Sequence, residues 1–225
     1  MDIDALLCTP SQVISSLDYR RERWRNGLGW TREILRLPAQ GDDWALRLSV
    51  AEIEQDAAFS AFPGVERELV LLQGNGVRLR FADGRVAEVL PPHGRVRFAG
   101  EEALDGELVD GTTHDFNLMW KRGLLQAELL HRPLVGSMFF FCEPGVAWAL
   151  DLLARPAELG ASSGPPPLHP GATARLRAGQ LHPPSSQGAG ELLAIRVSRP
   201  GRRRAFLAVL GRPGASSTPR LGLLG

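Results

Sequence analysis

Glu68-Leu69-Val70-Leu71-Leu72-Gln73-Gly74-Asn75-Gly76-Val77-Arg78-Leu79-Arg80-Phe81 decides how the rest of this chain is read. An apolar run meets a Gly-Asn-Gly break and then a segment that alternates apolar and polar residues. Alternation places successive side chains on opposite faces, the period of a half-buried strand, and a short glycine-rich break between two such runs predicts a β-hairpin. Upstream, Ile34–Leu37 and Trp44–Val50 alternate in the same way. Downstream, Asp83-Gly84 marks a turn, Arg85–Leu90 a strand, Pro91-Pro92-His93-Gly94 a break and Arg95–Phe98 a further strand. A second series follows residue 115: Leu124–Leu130, Ser137–Cys142, Ala147–Leu153, Thr173–Arg177, Glu191–Val197 and Ala205–Leu210. Many short strands at this spacing predict an all-β sandwich or barrel, not alternating β-α units. The best helix candidate is Pro10–Leu17, with Thr9 as N-cap. No sharp linker divides the chain. The expected organisation is two packed β-barrel halves, 1–115 and 116–210, with a tail of loop composition at 211–225.

At 225 residues the chain has ample length for a core. Lys+Arg number 26 against 25 Asp+Glu, a net charge of +1, which argues against nucleic acid as the partner. Lys121 is the lone lysine, a bias that a GC-rich genome also produces. The Met-Asp-Ile-Asp start lacks the positive and apolar regions of a secretory signal. No apolar run reaches the roughly 18 residues that span a bilayer. Cys8 and Cys142 form no CxxC pair. The expectation is a cytoplasmic protein with no membrane partner.

Candidate chemistry gathers in a few stretches. Trp24–Ile34 holds Gly27 and Gly29 between aromatics, with Asn26 and Thr31 as hydrogen-bonding groups and Arg25 and Arg32 as charges. It reads equally as a glycine turn and as a ligand loop. Arg47 and Ser49 share one face of their strand. In Thr113–Arg122, Asp115, Asn117 and Met119 share a face, while Phe116, Leu118 and Trp120 fill the other. This cluster either lines a pocket or ties down a crossing between the halves. Phe59–Gly76 resembles the apolar strand and Gly-x-Gly turn of small cupin barrels, whose metal-binding members carry two histidines and a glutamate here. In this chain those histidines are absent, and Arg67 stands seven residues before Gly74, at the glutamate's place. Guanidinium has no lone pair for a metal, so an arginine as the positive centre suits an anionic organic ligand. His93, His114, His131, His169 and His182 show no metal-ligand spacing, and no GxSxG elbow or dinucleotide fingerprint is present. No cofactor or metal is expected.

Four motifs in register, W-x-N-G-x-G-x-T-x-E-I at Trp24–Ile34, W-x-x-R-x-S-x-A at Trp44–Ala51, F-S-x-F-P-G-x-x-R at Phe59–Arg67 and D-F-N-x-M at Asp115–Met119, resemble the HutD/Ves family. Those proteins are associated with bacterial histidine utilisation (HutD) and environmental stress (Ves). The resemblance covers residues 20–122 closely and extends loosely to 210. It implies a bicupin fold of RmlC-like jelly-roll type, a cytoplasmic bacterial location and no established catalysis. For the HutD branch it implies binding of a small anionic metabolite, N-formylglutamate or urocanate, to restrain histidine breakdown. Carried residue by residue, the motif positions are Asn26, Gly27, Gly29, Thr31, Glu33, Arg47, Ser49, Phe62, Pro63, Gly64, Arg67, Asp115, Asn117 and Met119. The expected ligand-binding set is Asn26, Thr31, Arg47, Ser49, Phe62, Arg67, Asp115, Asn117 and Met119, with no catalytic or metal residue. Chemistry singles out Arg47 or Arg67 for a carboxylate and Asn26, Thr31 or Asn117 for hydrogen bonds. The Pro- and Ser-rich stretch 155–190 departs from the regularity of a second cupin. Two other classes stay open: a small-acid isomerase or hydrolase using Glu33, Asp115 or His114 as acid-base groups, or a Ves-like protein acting through protein interaction at the basic turn Arg199–Arg204. A homodimer also stays open.

Overall fold

The computed structural model describes residues 12–39, 41, 43–135, 137–140, 145–154, 157–160, 169–176, 179–182, 190–201 and 208–210. Over these residues the chain is all-β. The strands in chain order are β1 (Gln12–Ile14), β2 (Arg20–Arg23), β3 (Gly29–Leu37), β4 (Leu46–Ile53), β5 (Ala57–Ala58), β6 (Val65–Gln73), β7 (Val77–Phe81), β8 (Val86–Val89), β9 (Arg95–Ala99), β10 (Leu104–Leu108) and β11 (Thr113–Lys121). They continue as β12 (Gln126–Leu134), β13 (Ser137–Phe140), β14 (Val146–Ala154), β15 (Glu158–Gly160), β16 (Thr173–Leu176), β17 (Gly179–His182), β18 (Gly190–Ser198) and β19 (Ala208–Leu210). No described helix is long and apolar enough to cross a membrane.

Two compact units result: Leu17–Gln126, and the described residues of Met1–Ser16 together with Ala127–Gly225. The units part after Gln126, not at 115, because a break at 115 would cut β11. That strand lies in the middle of a six-stranded sheet of order β2-β3-β4-β11-β6-β9, antiparallel to both β4 and β6. The other sheet of the Leu17–Gln126 unit has the order β5-β10-β7-β8. Ala51, Ile53, Leu69, Leu71 and Phe98 of the first sheet pack against Val77, Leu79, Phe81, Val89 and Leu104 of the second to form one core cluster. The apolar positions of each alternating strand thereby face one another, as the period of two requires. The remaining unit has sheets β1-β16-β14-β18-β12 and β15-β17-β13-β19, with a core that includes Trp148, Leu150, Met138, Phe140 and Leu192.

Two local readings need correction. The Gln73–Gly76 break is not a hairpin turn, since β6 pairs with β11 and β9 whereas β7 pairs with β10 and β8. Gly74 and Gly76 adopt φ of 100° and 118°, which side-chain-bearing residues rarely reach, and they carry the chain from one sheet to the other. The hairpin lies one turn later, where β7 and β8 pair across Asp83-Gly84. The helix expected over Pro10–Leu17 is also absent where the chain is described. Gln12–Ile14 is a strand paired with Thr173–Arg175, followed by one 3-10 turn at Ser16–Asp18. β-Branched Val13 and Ile14 favour that extended pairing. Thr9, Cys8, Cys142, Arg202–Arg204 and the tail 211–225 lie outside the described residues.

Candidate functional site

The register of the six-stranded sheet stacks the sequence motifs into rungs. Thr31 pairs with Ala51, Ala51 with Asp115, and Asp115 with Leu71. In the next rung Glu33, Ser49, Asn117 and Leu69 lie side by side, and then Arg47, Met119, Arg67 and Phe98. Residues two apart share a face, so motifs far apart in the chain meet on the face that looks into the core. Leu69, Leu71 and Ala51 make one end of that face apolar. At the other end Arg47, Ser49, Asn117 and Arg67 make it polar, and a cavity of about 590 Å³ opens there.

Two loops contribute to the lining of the cavity. After β5, Phe59–Phe62 lines it, fastened by Phe59 N–H to the Leu104 carbonyl at 3.0 Å and Phe62 N–H to the Gly100 carbonyl at 2.7 Å. Between β2 and β3, Trp24–Leu28 forms a tight turn in which Trp24 N–H donates to the Gly29 carbonyl at 3.0 Å and Gly27 N–H to the Trp24 carbonyl at 2.9 Å. Leu28 N–H donates to Asn26 Oδ1 at 3.1 Å, so the Asn26 side chain holds the turn. The Trp24 indole N–H donates to Thr31 Oγ1 at 2.9 Å. Gly29 is required by contact. A Cβ there would lie 2.5 Å from the Glu52 carbonyl oxygen and 3.1 Å from the Trp24 ring.

Arg67 is the centre of the site. Its side chain is buried, with Nη2 donating to Asn117 Oδ1 at 3.0 Å and Nη1 to the Ser60 carbonyl at 3.3 Å. The guanidinium lies over the rings of Phe98, Phe59 and Phe62 at 5.0, 5.2 and 5.6 Å. No carboxylate among the described residues pairs with it, and its buried Nε–H has no acceptor. Burial, and secondarily the charge of Arg47, push its pKa down to about 10. Arg47 itself is committed: its Nε donates to Glu33 at 2.8 Å.

Of the expected site residues, Asn26, Thr31, Arg47, Ser49, Phe62, Arg67, Asn117 and Met119 line the cavity. Asp115 does not. It is fully buried, accepts a hydrogen bond from Thr113 Oγ1 at 2.6 Å, and has an Oδ1 without a donor. Burial raises its pKa to about 7 against that hydrogen bond. Phe116, Leu118 and Trp120, on the opposite face of β11, are buried as expected. His114 shares their face, away from the cavity, with its pKa lowered by burial and by nearby Arg32 and Arg21. Among the described lining residues none is histidine or cysteine, and the one carboxylate, Glu22, is paired with Arg20. Such a lining has no donor set for a metal.

The HutD family profile matches residues 16–194. The chain belongs to the HutD family. A Pseudomonas putida relative, an uncharacterized 21.2 kDa protein in the hutC 3′ region, is 39% identical over 119 residues, covering 52% of this chain and 62% of its own. Protein Ves of Citrobacter koseri is 37% identical over 107 residues, covering 47% of this chain and 56% of its own. The chain thus matches 62% and 56% of the lengths of these curated relatives. Among solved structures, the conserved protein of unknown function PA5104 of Pseudomonas aeruginosa PAO1 superposes with a TM-score of 0.74, and HutD of Pseudomonas fluorescens SBW25 with 0.71. Each is 24% identical and covers 85% of this chain and 100% of its own. The nickel complex of the Escherichia coli pirin YhhW matches at 0.61 with 11% identity, over 84% of this chain and 99% of its own. At those identities the likeness speaks for fold, which is cupin-like.

Trp24 and Phe59 of the cavity lining, and Phe98 beside Arg67, stand outside the residues expected to bind a ligand in this HutD-family chain. Trp24 and Phe59 lie inside the quoted motifs, where their spacing was a usable signal. Phe98, the nearest ring to Arg67, showed only its place in the alternating Arg95–Phe98 strand.

Proposed function

We propose that this HutD-family chain is a metal-free bicupin of two β-barrel halves whose Leu17–Gln126 unit captures a small carboxylic acid. The observation that carries this reading is Arg67: a buried cation facing a cavity with no carboxylate partner among the described residues and an Nε–H left without an acceptor. Isolating a charge from water is costly unless something compensates it, and a ligand carboxylate would do so through paired charge-assisted hydrogen bonds. Asn117 Oδ1 and Thr31 Oγ1 each accept one hydrogen bond, from Arg67 and Trp24, and the Asn117 amide N–H and Thr31 O–H are donors that a ligand could use. A lining rich in free donors suits a molecule rich in acceptors, a carboxylate or acyl group, over an amine or an imidazolium.

The hutC-region context of the Pseudomonas putida relative supports a role in histidine utilisation. N-formylglutamate and urocanate are the candidate ligands, held without turnover to restrain the pathway. Binding is favoured over catalysis because Glu22, the one carboxylate among the described lining residues, is already paired, and Asp115 is not part of the lining. Calorimetry of the full chain with each acid tests this. Wild type should bind at least one, and Arg67→Met should weaken that binding by about 10- to 100-fold, the worth of a charge-assisted contact. Wild type binding neither acid would remove both as ligands. Undiminished binding by Arg67→Met would remove Arg67 from the contact.

A further inference from the structure

We infer that the cavity is built for a short-chain dicarboxylate, with Arg67 taking one carboxylate at the floor and Arg25 taking the other at the rim. This rests on the reading of the cavity as a carboxylate site and adds a second cationic contact and a ligand class.

The argument is a charge inventory of the lining. Arg23 is bound to Glu54 at 2.8 Å, lies over the Trp30 ring at 4.8 Å and also donates to the Gly27 carbonyl. Arg47 is held by Glu33. Arg25 and Arg67 remain, the two lining cations with no carboxylate partner among the described residues. They differ in setting. Arg67 is buried on β6, whereas Arg25 is exposed on the Trp24–Leu28 turn. That turn is not a loose flap. Its three hydrogen bonds and the Trp24–Thr31 contact fix where Arg25 begins. The walls of the same cavity include Trp24, Phe59, Phe62 and Met119, which accept a methylene spacer. At about 590 Å³ the space lies within the ordinary range of ligand clefts.

The two arginines should contribute unequally. Arg67 is desolvated, so a ligand carboxylate on it decides whether an acid binds at all. Arg25 stays solvated without ligand and loses little when unpaired. Its effect is a preference: an exposed ion pair is worth at most about fivefold in affinity and weakens as salt rises.

Glutarate and valerate share a five-carbon chain and differ by one carboxylate, so they isolate the distal contact. Calorimetric titration of the full chain should give tighter binding of glutarate by about two- to fivefold at low salt, and a smaller preference at high salt. Arg25→Gln should bring the two acids to equal affinity by weakening glutarate alone. Arg25→Lys, which keeps the charge, should retain most of the preference, and Arg67→Met should weaken both acids by about 10- to 100-fold. Equal affinities in wild type, or a preference that survives Arg25→Gln, would overturn the role of Arg25. If Arg67→Met still weakened both acids, the carboxylate site itself would stand. Wild type binding neither acid would overturn the dicarboxylate and the carboxylate site together.

Discussion

Replacing Arg67 by methionine should make the ligand-free protein no less stable, although the side chain removed is buried. A basic group held at about 10 instead of 12.5 is disfavoured in its charged form by the fold. At 1.36 kcal/mol per pH unit, two and a half units amount to about 3 kcal/mol. The sign follows from a lowered value on a base. Below about pH 10, Arg67 is charged both folded and unfolded, so the full cost is present at neutrality, and it is relieved only as pH rises past 10. Methionine keeps an unbranched apolar side chain and removes the charge. Against the gain stand the lost contacts with three phenylalanine rings and an unmet Asn117 Oδ1, together about 1–3 kcal/mol. The net expectation is a change between about zero and 2 kcal/mol in favour of the variant, where truncating an ordinary buried side chain costs about 2–5 kcal/mol. Urea unfolding without ligand reads this from the midpoint and slope. A loss of more than about 2 kcal/mol at unchanged slope would mean that the guanidinium contacts hold the fold and that Arg67 is a structural residue.

Two further expectations can be checked on the same apparatus. Asp115, raised from 3.8 to about 7, contributes stability that is complete below about 4 and lost as pH rises through 7. Asp115→Asn should therefore raise the urea midpoint by about 2–4 kcal/mol equivalent near pH 8 and change it little near pH 4; an equal effect at both would refute the assigned ionisation. Gly29→Ala pushes a methyl against the Glu52 carbonyl and the Trp24 ring, so it should cost about 1–3 kcal/mol and weaken acid binding through the displaced turn. Unaltered stability and binding would show that the turn gives way freely.

Much of the site was legible because motif spacing and strand period are local properties. Asp115, Asn117 and Met119 at every second position must share a face of any strand that contains them, and the structure bears that out. What each residue on that face does was not legible. Asp115 and Asn117 have the same spacing and similar shape, yet Asn117 reaches Arg67 while Asp115 is turned to Thr113 behind the lining. Glu33 was attractive by type as an acid-base group and Asn26 as a hydrogen-bonding one. One neutralises Arg47 and the other caps its own turn. Such assignments depend on partners from other strands, which no local pattern carries.

The sequence by itself determined the β class, the in/out faces of the central strands and the presence of an arginine where a metal-binding cupin would carry a carboxylate. These follow from residue type and a period of two, which need no knowledge of the partner strand. Only the tertiary structure decided which strands pair. Gly74-Asn75-Gly76 reads as a hairpin because positive φ at glycine makes a sharp turn in either case, but the same turn here hands the chain from one sheet to the other. That choice puts Arg67 opposite Met119 and beside Asn117, roofs it with Phe59 and Phe62, and leaves it without a carboxylate partner among the described residues. Whether a charge is buried and unmatched is a property of everything packed around it, and so it appears only once the chain has folded.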